Sequence, residues 1–323
     1  MIIAGVDEAG YGPLLGPLVI GCCAFEVGGE CAGDELPCLW KRLSKIVSKK
    51  RSASGKRLHV NDSKQVYSSA AGLEELETSV LATLVAAGYQ PGDLRELLQI
   101  IAGHVGAELE EYAWYRPAEE ERFPLEQAML PIQLFANALR QQMQKSSATC
   151  IHLSARVVLE RQLNQLLAAT RNKGSVLSSV TAIHLDFLLR TWGERPMTIF
   201  CDRQGGREHY GHDLRLMFEE WDLEVLEERE GRSDYELTRG SNRVRIYFRE
   251  KAESQCLPVA MASMLSKYVR EALMRRFNAF WLGHLPGVSP TAGYYNDGTR
   301  FLRDIDSKRR ELGITDEQLI RSR

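Results

Sequence analysis

The chain contains 323 residues, of which 44% are hydrophobic, and it carries 41 Lys and Arg against 43 Asp and Glu for a formal net charge of −2. These values suit a soluble globular protein of one large or two smaller domains, and they argue against strong non-specific binding of nucleic acid through overall charge. No run reaches the roughly 18–20 apolar residues of a transmembrane helix, and no basic region with a cleavage site opens the chain, so we expect neither a membrane span nor a signal peptide. Seven cysteines without a CxxC pair indicate reduced thiols in a cytoplasmic protein.

The first predicted element is a short buried strand over residues 2–6, followed directly by Asp7 and Glu8. A loop rich in glycine and proline comes next, and residues 18–25 predict a return strand. Adjacent buried carboxylates repel each other, and a hard divalent cation would relieve that repulsion. The loop glycines let backbone N–H groups approach an anion closely. A bare Asp-Glu pair would more simply cap a strand, but the combination favours a metal and phosphate site.

This opening stretch resembles the first motif of the type 2 ribonucleases H (ribonuclease HII). The matching residues are GVDEAGYGPL at 5–14, then Gly16 and Pro17. The family motif is a strand, an Asp-Glu pair and a Gly-Arg-Gly-Pro loop, so Tyr11 stands where the family has Arg. The resemblance implies an α/β, ribonuclease H-like fold, with a mixed central β-sheet flanked by helices and a C-terminal helical extension. It also implies cleavage of the RNA strand of RNA–DNA duplexes.

A basic segment covers residues 41–64, where nine Lys and Arg are opposed by Asp62 alone. A charge run is usually a solvated face, but this one ends at Asn61-Asp62-Ser63-Lys64, which matches an Asn-Asp-Ser-Lys segment of the family. A turn of small polar residues before a lysine could meet a phosphate. We therefore expect the segment to border the path of a nucleic-acid duplex.

The middle of the chain predicts helices, then a strand that ends in a carboxylate. Helices are expected over 69–87, 94–102 and 124–145, the last kinked at Pro131, with an acidic loop over 103–123. We interpret 85–145 as a helical insertion. A strand over 150–153, helices over 155–170 and 176–192, and a strand over 196–201 follow. Asp202 stands at the end of that last strand, as in the family.

The second strong resemblance begins at Lys251-Ala252-Glu253 and continues into a predicted helix over 258–281. Glu253 stands where the family usually has Asp, its fourth carboxylate. The gap of 253 − 202 = 51 residues is long for the family, and we attribute it to an inserted hairpin over 235–250. Ser263, Lys267 and Arg270 share one helix face at i, i+4 and i+7. Three donors on one stripe suit phosphates, although an ordinary polar face is the simpler alternative.

The third resemblance covers residues 292–302, AGYYNDGTRFL, which are similar to a tyrosine-containing segment before a C-terminal helix in archaeal and eukaryotic members. Tyr294 takes the place of the tyrosine that packs on the sugar at an RNA–DNA junction, where the 2′-hydroxyl distinguishes RNA from DNA. Helices are expected over 299–312 and from 316. The predicted organisation is a catalytic domain over 1–283 and a C-terminal helical segment over 284–323.

Taken together, the resemblances imply a metal-dependent endoribonuclease that leaves 5′-phosphate and 3′-hydroxyl ends. Two Mg²⁺ or Mn²⁺ ions would be held by Asp7, Glu8, Asp202 and Glu253. Substrate, either RNA–DNA hybrid or DNA containing ribonucleotides, would be bound by Gly10, Tyr11, Gly12, Asn61, Ser63, Lys64, Ser263, Lys267, Arg270 and Tyr294. We expect a monomer. A nucleic-acid-binding protein that keeps the fold but has lost turnover remains the alternative, because Tyr11 and Glu253 depart from the family pattern.

Overall fold

A computed structural model describes residues 1–29, 36–68, 70–116 and 122–322 of the chain. Its strands are β1 (Ile2–Ala9), β2 (Leu18–Val27), β3 (Val47–Ser48), β4 (Leu58–His59), β5 (Ala148–Val158), β6 (Met197–Asp202), β7 (Asp222–Arg229), β8 (Arg232–Arg239) and β9 (Asn242–Arg249). Its helices are α1 (Leu39–Arg42), α2 (Ser63–Val66), α3 (Glu74–Ala86), α4 (Leu94–Ile101), α5 (Gly106–Leu109), α6 (Met129–Lys145), α7 (Glu160–Thr170), α8 (Lys173–Trp192), α9 (Gly211–Met217), α10 (Ala252–Gln255), α11 (Leu257–His284), α12 (Tyr295–Glu311) and α13 (Asp316–Leu319). None of the helices described is long and apolar enough to cross a membrane.

The central sheet has seven strands in the order β5-β2-β1-β6-β9-β8-β7. Strand β2 runs antiparallel to both β1 and β5, whereas β6 is parallel to β1 and β9 is parallel to β6. Strands β7 and β8 extend the sheet with antiparallel pairing. The mixed central sheet flanked by helices confirms the expected fold class.

Both faces of the sheet are covered, which explains why the first strand reads as an unbroken apolar run. Ile3 packs into a core on the side of α11, whereas Ile2, Ala4 and Val6 pack into a second core that includes residues of α7 and α8. The five buried cysteines among those described belong to these interiors, and Cys38 is exposed. Because β1 is buried on both faces, its position in the sheet is fixed, and so is the position of the two carboxylates that follow Val6.

Helix α11 lies unusually close to the sheet because two glycines face it. A Cβ atom on Gly5 would stand 2.1 Å from the backbone nitrogen of Val259, and one on Gly21 would stand 2.4 Å from the carbonyl oxygen of Ala262. The absent side chains let the helix backbone rest directly on β1 and β2. This contact brings Ser263 of α11 to the end of β1 that carries the carboxylates.

The insertion is tied to the core through the fully buried Glu77 of α3. Its carboxylate accepts the backbone N–H groups of Glu126 and Gln127, each at 2.8 Å, and that of Leu125, and also the hydroxyl of Tyr268 at 2.7 Å. Residues 124–128 are not helical, and the helix expected over 124–145 begins at Met129.

Four expectations are corrected here. Pro131 lies in the first turn of α6, where proline is tolerated, so the expected kink is wrong. Strand β5 runs over eleven residues rather than four because it pairs along the length of β2. The helix expected over 155–170 begins at Glu160 because β5 extends to Val158, whereas the hairpin expected over 235–250 is present as the antiparallel pair β8 and β9. Helix α12 starts at Tyr295 rather than 299. The middle of the expected acidic loop, 117–121, lies outside the described residues.

Candidate active site

The four expected carboxylates meet at one edge of the sheet. Asp7 and Glu8 lie at the end of β1, Asp202 is the last residue of β6, and Glu253 follows β9 in α10. The three strands are neighbours and parallel, with Val6 beside Cys201 in the ladder. Their carboxyl ends therefore converge, which places residues about 250 positions apart in sequence around one point.

Burial and mutual repulsion dominate the electrostatics of this point. Burial, then the charges of Glu8 and Asp202, raise the pKa of Asp7 well above its usual value. Burial, then Asp202, raise the pKa of Glu8 to about 7. Burial also raises the pKa of Asp202 and of Glu253, with the charge of Asp62 adding to both. The cluster thus carries more negative charge than its protein surroundings stabilise.

A few groups offset part of that charge. Lys64 lies close enough to lower the pKa of Glu8, Asp202 and Glu253. The hydroxyl of Ser263 lowers the pKa of Asp7 by a hydrogen bond. The backbone N–H of Ala252 donates to Oδ1 of Asp202 at 3.2 Å. Lys64 is thus the cation through which the basic segment reaches the carboxylates.

The donor set fits a divalent metal by its chemistry. Carboxylate oxygens are the ligands that Mg²⁺ and Mn²⁺ prefer, and the raised pKa values show that further positive charge would be favourable here. In the described part of the chain, no three His, Cys, Asp or Glu side chains are already grouped closely enough to hold an ion. Binding of a cation would therefore require the side chains to close around it.

The segment Asn61-Asp62-Ser63-Lys64 forms a capped turn beside the carboxylates. Asp62 caps α2 by accepting the N–H of Lys64 at 3.0 Å. The amide of Asn61 donates to the carbonyl of Lys49 at 2.9 Å, and Ser63 is buried against Ser263, with 3.3 Å between the hydroxyl oxygens. In this structure Asn61 and Ser63 hold the turn in place, whereas Lys64 is exposed and faces the cluster.

The basic segment touches the site at one further point. The Lys49 ammonium donates to the carbonyl of Ser254, next to Glu253, and lies 4.8 Å from the ring centre of Trp40. Arg51 pairs with Glu75. Lys50 is exposed, and its ammonium forms no hydrogen bond or ion pair with another described residue. Of these three cations, Lys50 is the one free to contact a phosphate.

The glycine loop over residues 10–16 is most exposed at Gly12. Gly10 has φ +88°, and a Cβ there would stand 2.5 Å from the carbonyl of Pro17, so only glycine fits. A Cβ on Gly12 would have nothing within 4 Å, so this position is open. Within the described residues, the N–H groups of Tyr11 and Gly12 donate to no acceptor. The loop therefore offers two free donors beside the carboxylates.

The expected donor stripe on α11 faces inward. Ser263 and Arg270 are 2% and 1% exposed. Lys267 forms an ion pair with Glu271 at 2.6 Å and lies 4.6 Å from the ring centre of Tyr67. The guanidinium of Arg270 donates to the carbonyl of Leu15 at 3.2 Å, so it holds the glycine loop from behind. The stripe is turned away from solvent because this face of α11 packs against α2, Tyr67 and the glycine loop.

Two tyrosines lie on the loop and its neighbour. Tyr294 is 52% exposed and immediately precedes α12. The segment before it is tied to the loop, since the N–H groups of Leu14 and Leu15 both donate to the carbonyl of Gly293, at 2.7 and 3.1 Å. The ring of Tyr11 is partly buried and has the Lys173 ammonium 5.0 Å from its centre. The ring of Tyr294 is thus accessible to a stacking partner, whereas the ring of Tyr11 already has the Lys173 ammonium beside it.

Two cations near the loop were missed by sequence reasoning. Lys173 opens α8 and reaches the ring of Tyr11. Arg321 follows α13 and donates to loop carbonyls. Neither stands in a motif, and each is more than 150 residues from the loop, so no local pattern could have indicated them. The one signal in the sequence is that Arg321 lies two residues after α13, a helical turn with a capping box.

No protein-family model matches the chain. A curated protein, ribonuclease HII of Methanocaldococcus jannaschii, is 46% identical over 61 residues, which is 19% of this chain and 25% of that protein. This match confirms the predicted resemblance to the type 2 ribonuclease H family, although it spans only about a quarter of the relative's length.

Solved structures of the same family are also similar. They include ribonuclease HII of Archaeoglobus fulgidus in complex with PCNA (16% identity, TM-score 0.43, covering 100% of this chain and 95% of that one). Ribonuclease H2 of Pyrococcus horikoshii has 13% identity, a TM-score of 0.40 and coverage of 99% and 92%. Bst-RNase HIII in complex with Mn²⁺ has 15% identity, a TM-score of 0.44 and coverage of 99% and 66%. All three scores lie below 0.5, so the fold class rests on this chain's own sheet order.

Proposed function

We propose that this protein is a metal-dependent endonuclease of the type 2 ribonuclease H kind, acting on the RNA strand of RNA–DNA hybrids and on ribonucleotides embedded in DNA. The observation that carries the proposal is the convergence of Asp7, Glu8, Asp202 and Glu253 at the ends of three parallel strands. Beside them a glycine loop offers free N–H donors. A binding protein has no need of four clustered carboxylates.

In this proposal the four carboxylates hold two Mg²⁺ or Mn²⁺ ions. Such ions, when bound, supply Lewis-acid activation of water and stabilisation of the charge that develops on the phosphodiester. Ser263 orients Asp7 through its hydroxyl, and Lys64 lowers the pKa of the neighbouring carboxylates of Glu8 and Asp202, against the effect of burial. The products would carry 5′-phosphate and 3′-hydroxyl ends.

Substrate recognition is divided among three groups in this proposal. The free N–H groups of Tyr11 and Gly12 would contact the sugar and phosphate of a ribonucleotide. Tyr294, being half exposed, would pack on the sugar whose 2′-hydroxyl marks RNA. Lys50 and Lys64 would contact phosphates along the strand, a sequence-independent contribution that weakens as salt increases.

The test is cleavage of a labelled RNA–DNA hybrid in Mg²⁺ or Mn²⁺ by the natural protein and by Asp7→Asn. We expect Asp7→Asn to lose at least about 100-fold in rate while keeping its circular dichroism spectrum, since the change is nearly isosteric. Asp186→Asn is the matched control, because Asp186 is an exposed partner of Arg190 on α8. Full activity in Asp7→Asn would refute the assignment.

The alternative is a nucleic-acid-binding protein of the same fold without turnover. Two observations favour it: Tyr11 replaces the family's arginine, and no closed metal-binding group is present among the described residues. Calorimetric titration with Mn²⁺ distinguishes the two. Heat of binding that disappears in Asp7→Asn supports the nuclease, whereas hybrid binding without any metal binding supports the alternative.

A further inference from the structure

A docked segment at the far end of the described chain reaches the glycine loop. Asn164 of α7 holds this segment, since its amide nitrogen donates to the carbonyl of Ile320 at 2.8 Å and its oxygen accepts the N–H of Ser322 at 2.6 Å. These bonds enclose Arg321, which is 2% exposed. Docking on α7 therefore buries the Arg321 side chain between α7 and the loop.

Arg321 binds four carbonyl groups of the loop. Its backbone N–H donates to Leu14 at 2.9 Å. Its guanidinium donates to Tyr11 at 3.1 Å, to Gly16 at 3.4 Å, and to Gly10. A planar guanidinium with five N–H donors is suited to collecting several carbonyls at once, which a lysine ammonium does less well. These four carbonyl oxygens therefore all point toward Arg321, on the inner side of the loop.

This arrangement determines which backbone groups of the loop point away from Arg321. In a trans peptide the carbonyl and the following N–H point in opposite directions. Because the carbonyls of Gly10 and Tyr11 point at Arg321, the N–H groups of Tyr11 and Gly12 point away from it. A loop turned the other way would present carbonyl oxygens, which repel phosphate.

Arg321 keeps its charge although it is buried. Burial, then the charge of nearby Arg270, lower the pKa of Arg321 to about 10, while Glu160 acts in the opposite direction. The carboxylate of Glu160 is itself fully buried and accepts the Tyr115 hydroxyl at 2.8 Å. With a pKa of about 10, the guanidinium remains charged at neutral pH. Arg321 is thus placed as a charged, fixed donor rather than as a surface cation.

We propose that Arg321 is a positioning residue for substrate recognition: it orients the loop over residues 10–16 so that the N–H groups of Tyr11 and Gly12 face the nucleic acid. The proposal rests on the proposed function for its consequence in catalysis. Its structural part, the orientation of the loop, can be measured whether or not the protein is a nuclease.

The first experiment measures hydrogen exchange in the natural protein and in Arg321→Ala, Arg321→Lys and Arg310→Ala. Arg310 is the control because it is an exposed arginine on α12 whose one ion pair within the described residues is with Asp306. We expect the amides of Leu14 and Leu15 to exchange at least about tenfold faster in Arg321→Ala, less so in Arg321→Lys, and unchanged in Arg310→Ala. Unchanged exchange in Arg321→Ala would overturn the proposal.

The second experiment compares kcat and KM on a hybrid substrate. A positioning role predicts a raised KM in Arg321→Ala, with partial recovery in Arg321→Lys, whereas loss of kcat alone would overturn it. If the natural protein cleaves nothing, the proposed function fails, and the exchange measurement still decides on the loop. If Arg321→Ala does not fold, Asn164→Ala loosens the docked segment without touching the loop. Faster exchange at Leu14 in that variant supports the proposal, and unchanged exchange contradicts it.

Discussion

The close contact between β1 and α11 allows a quantitative prediction for Gly5→Ala. The new Cβ would stand 2.1 Å from the backbone nitrogen of Val259 and 2.3 Å from the backbone carbon of Pro258, where ordinary contact begins at 3.4 Å. Both obstacles are backbone atoms in a buried helix, so the helix must move by about 1.3 Å, the difference between the two values. Overpacking of this kind lowers the free energy of unfolding by about 1–3 kcal/mol, and we expect the upper end of that range.

Urea denaturation followed by circular dichroism measures this free energy. Gly283→Ala is the matched control, because Gly283 lies near the end of the same helix and a Cβ there meets nothing within 4 Å. Since alanine favours helix, we expect Gly283→Ala to be neutral or stabilising by up to about 1 kcal/mol. The same helix carries Ser263, so Gly5→Ala should also reduce any cleavage, by about 100-fold for a displacement near 1 Å. A Gly5→Ala protein as stable as the natural one would refute the reasoning.

Three further predictions concern protonation, salt and substrate choice. Burial lowers the pKa of His184 from 6.5 to about 3. Between these two pH values the unfolded chain binds a proton at this residue that the folded chain does not. The free energy of unfolding should therefore fall as the pH decreases from about 6.5 toward 3, by up to about 1.4 kcal/mol per pH unit. His184→Gln should flatten that dependence in urea denaturation between about pH 7 and 5, and an identical profile would contradict it. Lys50→Ala should lower the slope of log affinity for a hybrid against log salt concentration by about one, whereas Lys49→Ala should change that slope less. Equal slopes for Lys50→Ala and the natural protein would show that Lys50 is a solvated side chain that does not contact phosphate. Tyr11→Arg should improve cleavage at a single embedded ribonucleotide relative to a continuous hybrid, because a guanidinium can fork to a phosphate, and no gain there would contradict our interpretation of Tyr11.

Part of the acidic cluster could be predicted from local sequence patterns. Asp7 and Glu8 directly follow an apolar run, which indicates the end of a buried strand, and the glycine loop follows them in the chain. Asp202 and Glu253 were assigned to the same site by the resemblance to the type 2 ribonucleases H. The parallel pairing that brings the three strand ends together joins segments far apart in the chain, so no local pattern could indicate it.

The orientation of α11 could not be predicted in the same way. The spacing of Ser263, Lys267 and Arg270 correctly indicates a shared face, but spacing does not tell which way that face points. Direction depends on Gly5 and Gly21, which admit the helix backbone to the sheet, and both lie about 240 residues or more upstream. The environment of Arg270 therefore follows from tertiary packing rather than from its own segment.

The bond between Arg321 and Gly10 joins residues that are 311 positions apart. A ribosome adding about 5–20 residues per second takes roughly 15–60 s to make the chain between them. Strand β1 can pair with β6 as soon as residues 197–202 have emerged, and Glu253 can join them soon afterwards. During synthesis, the acidic residues can thus come together before Arg321 has been added to the chain and can bind the glycine loop.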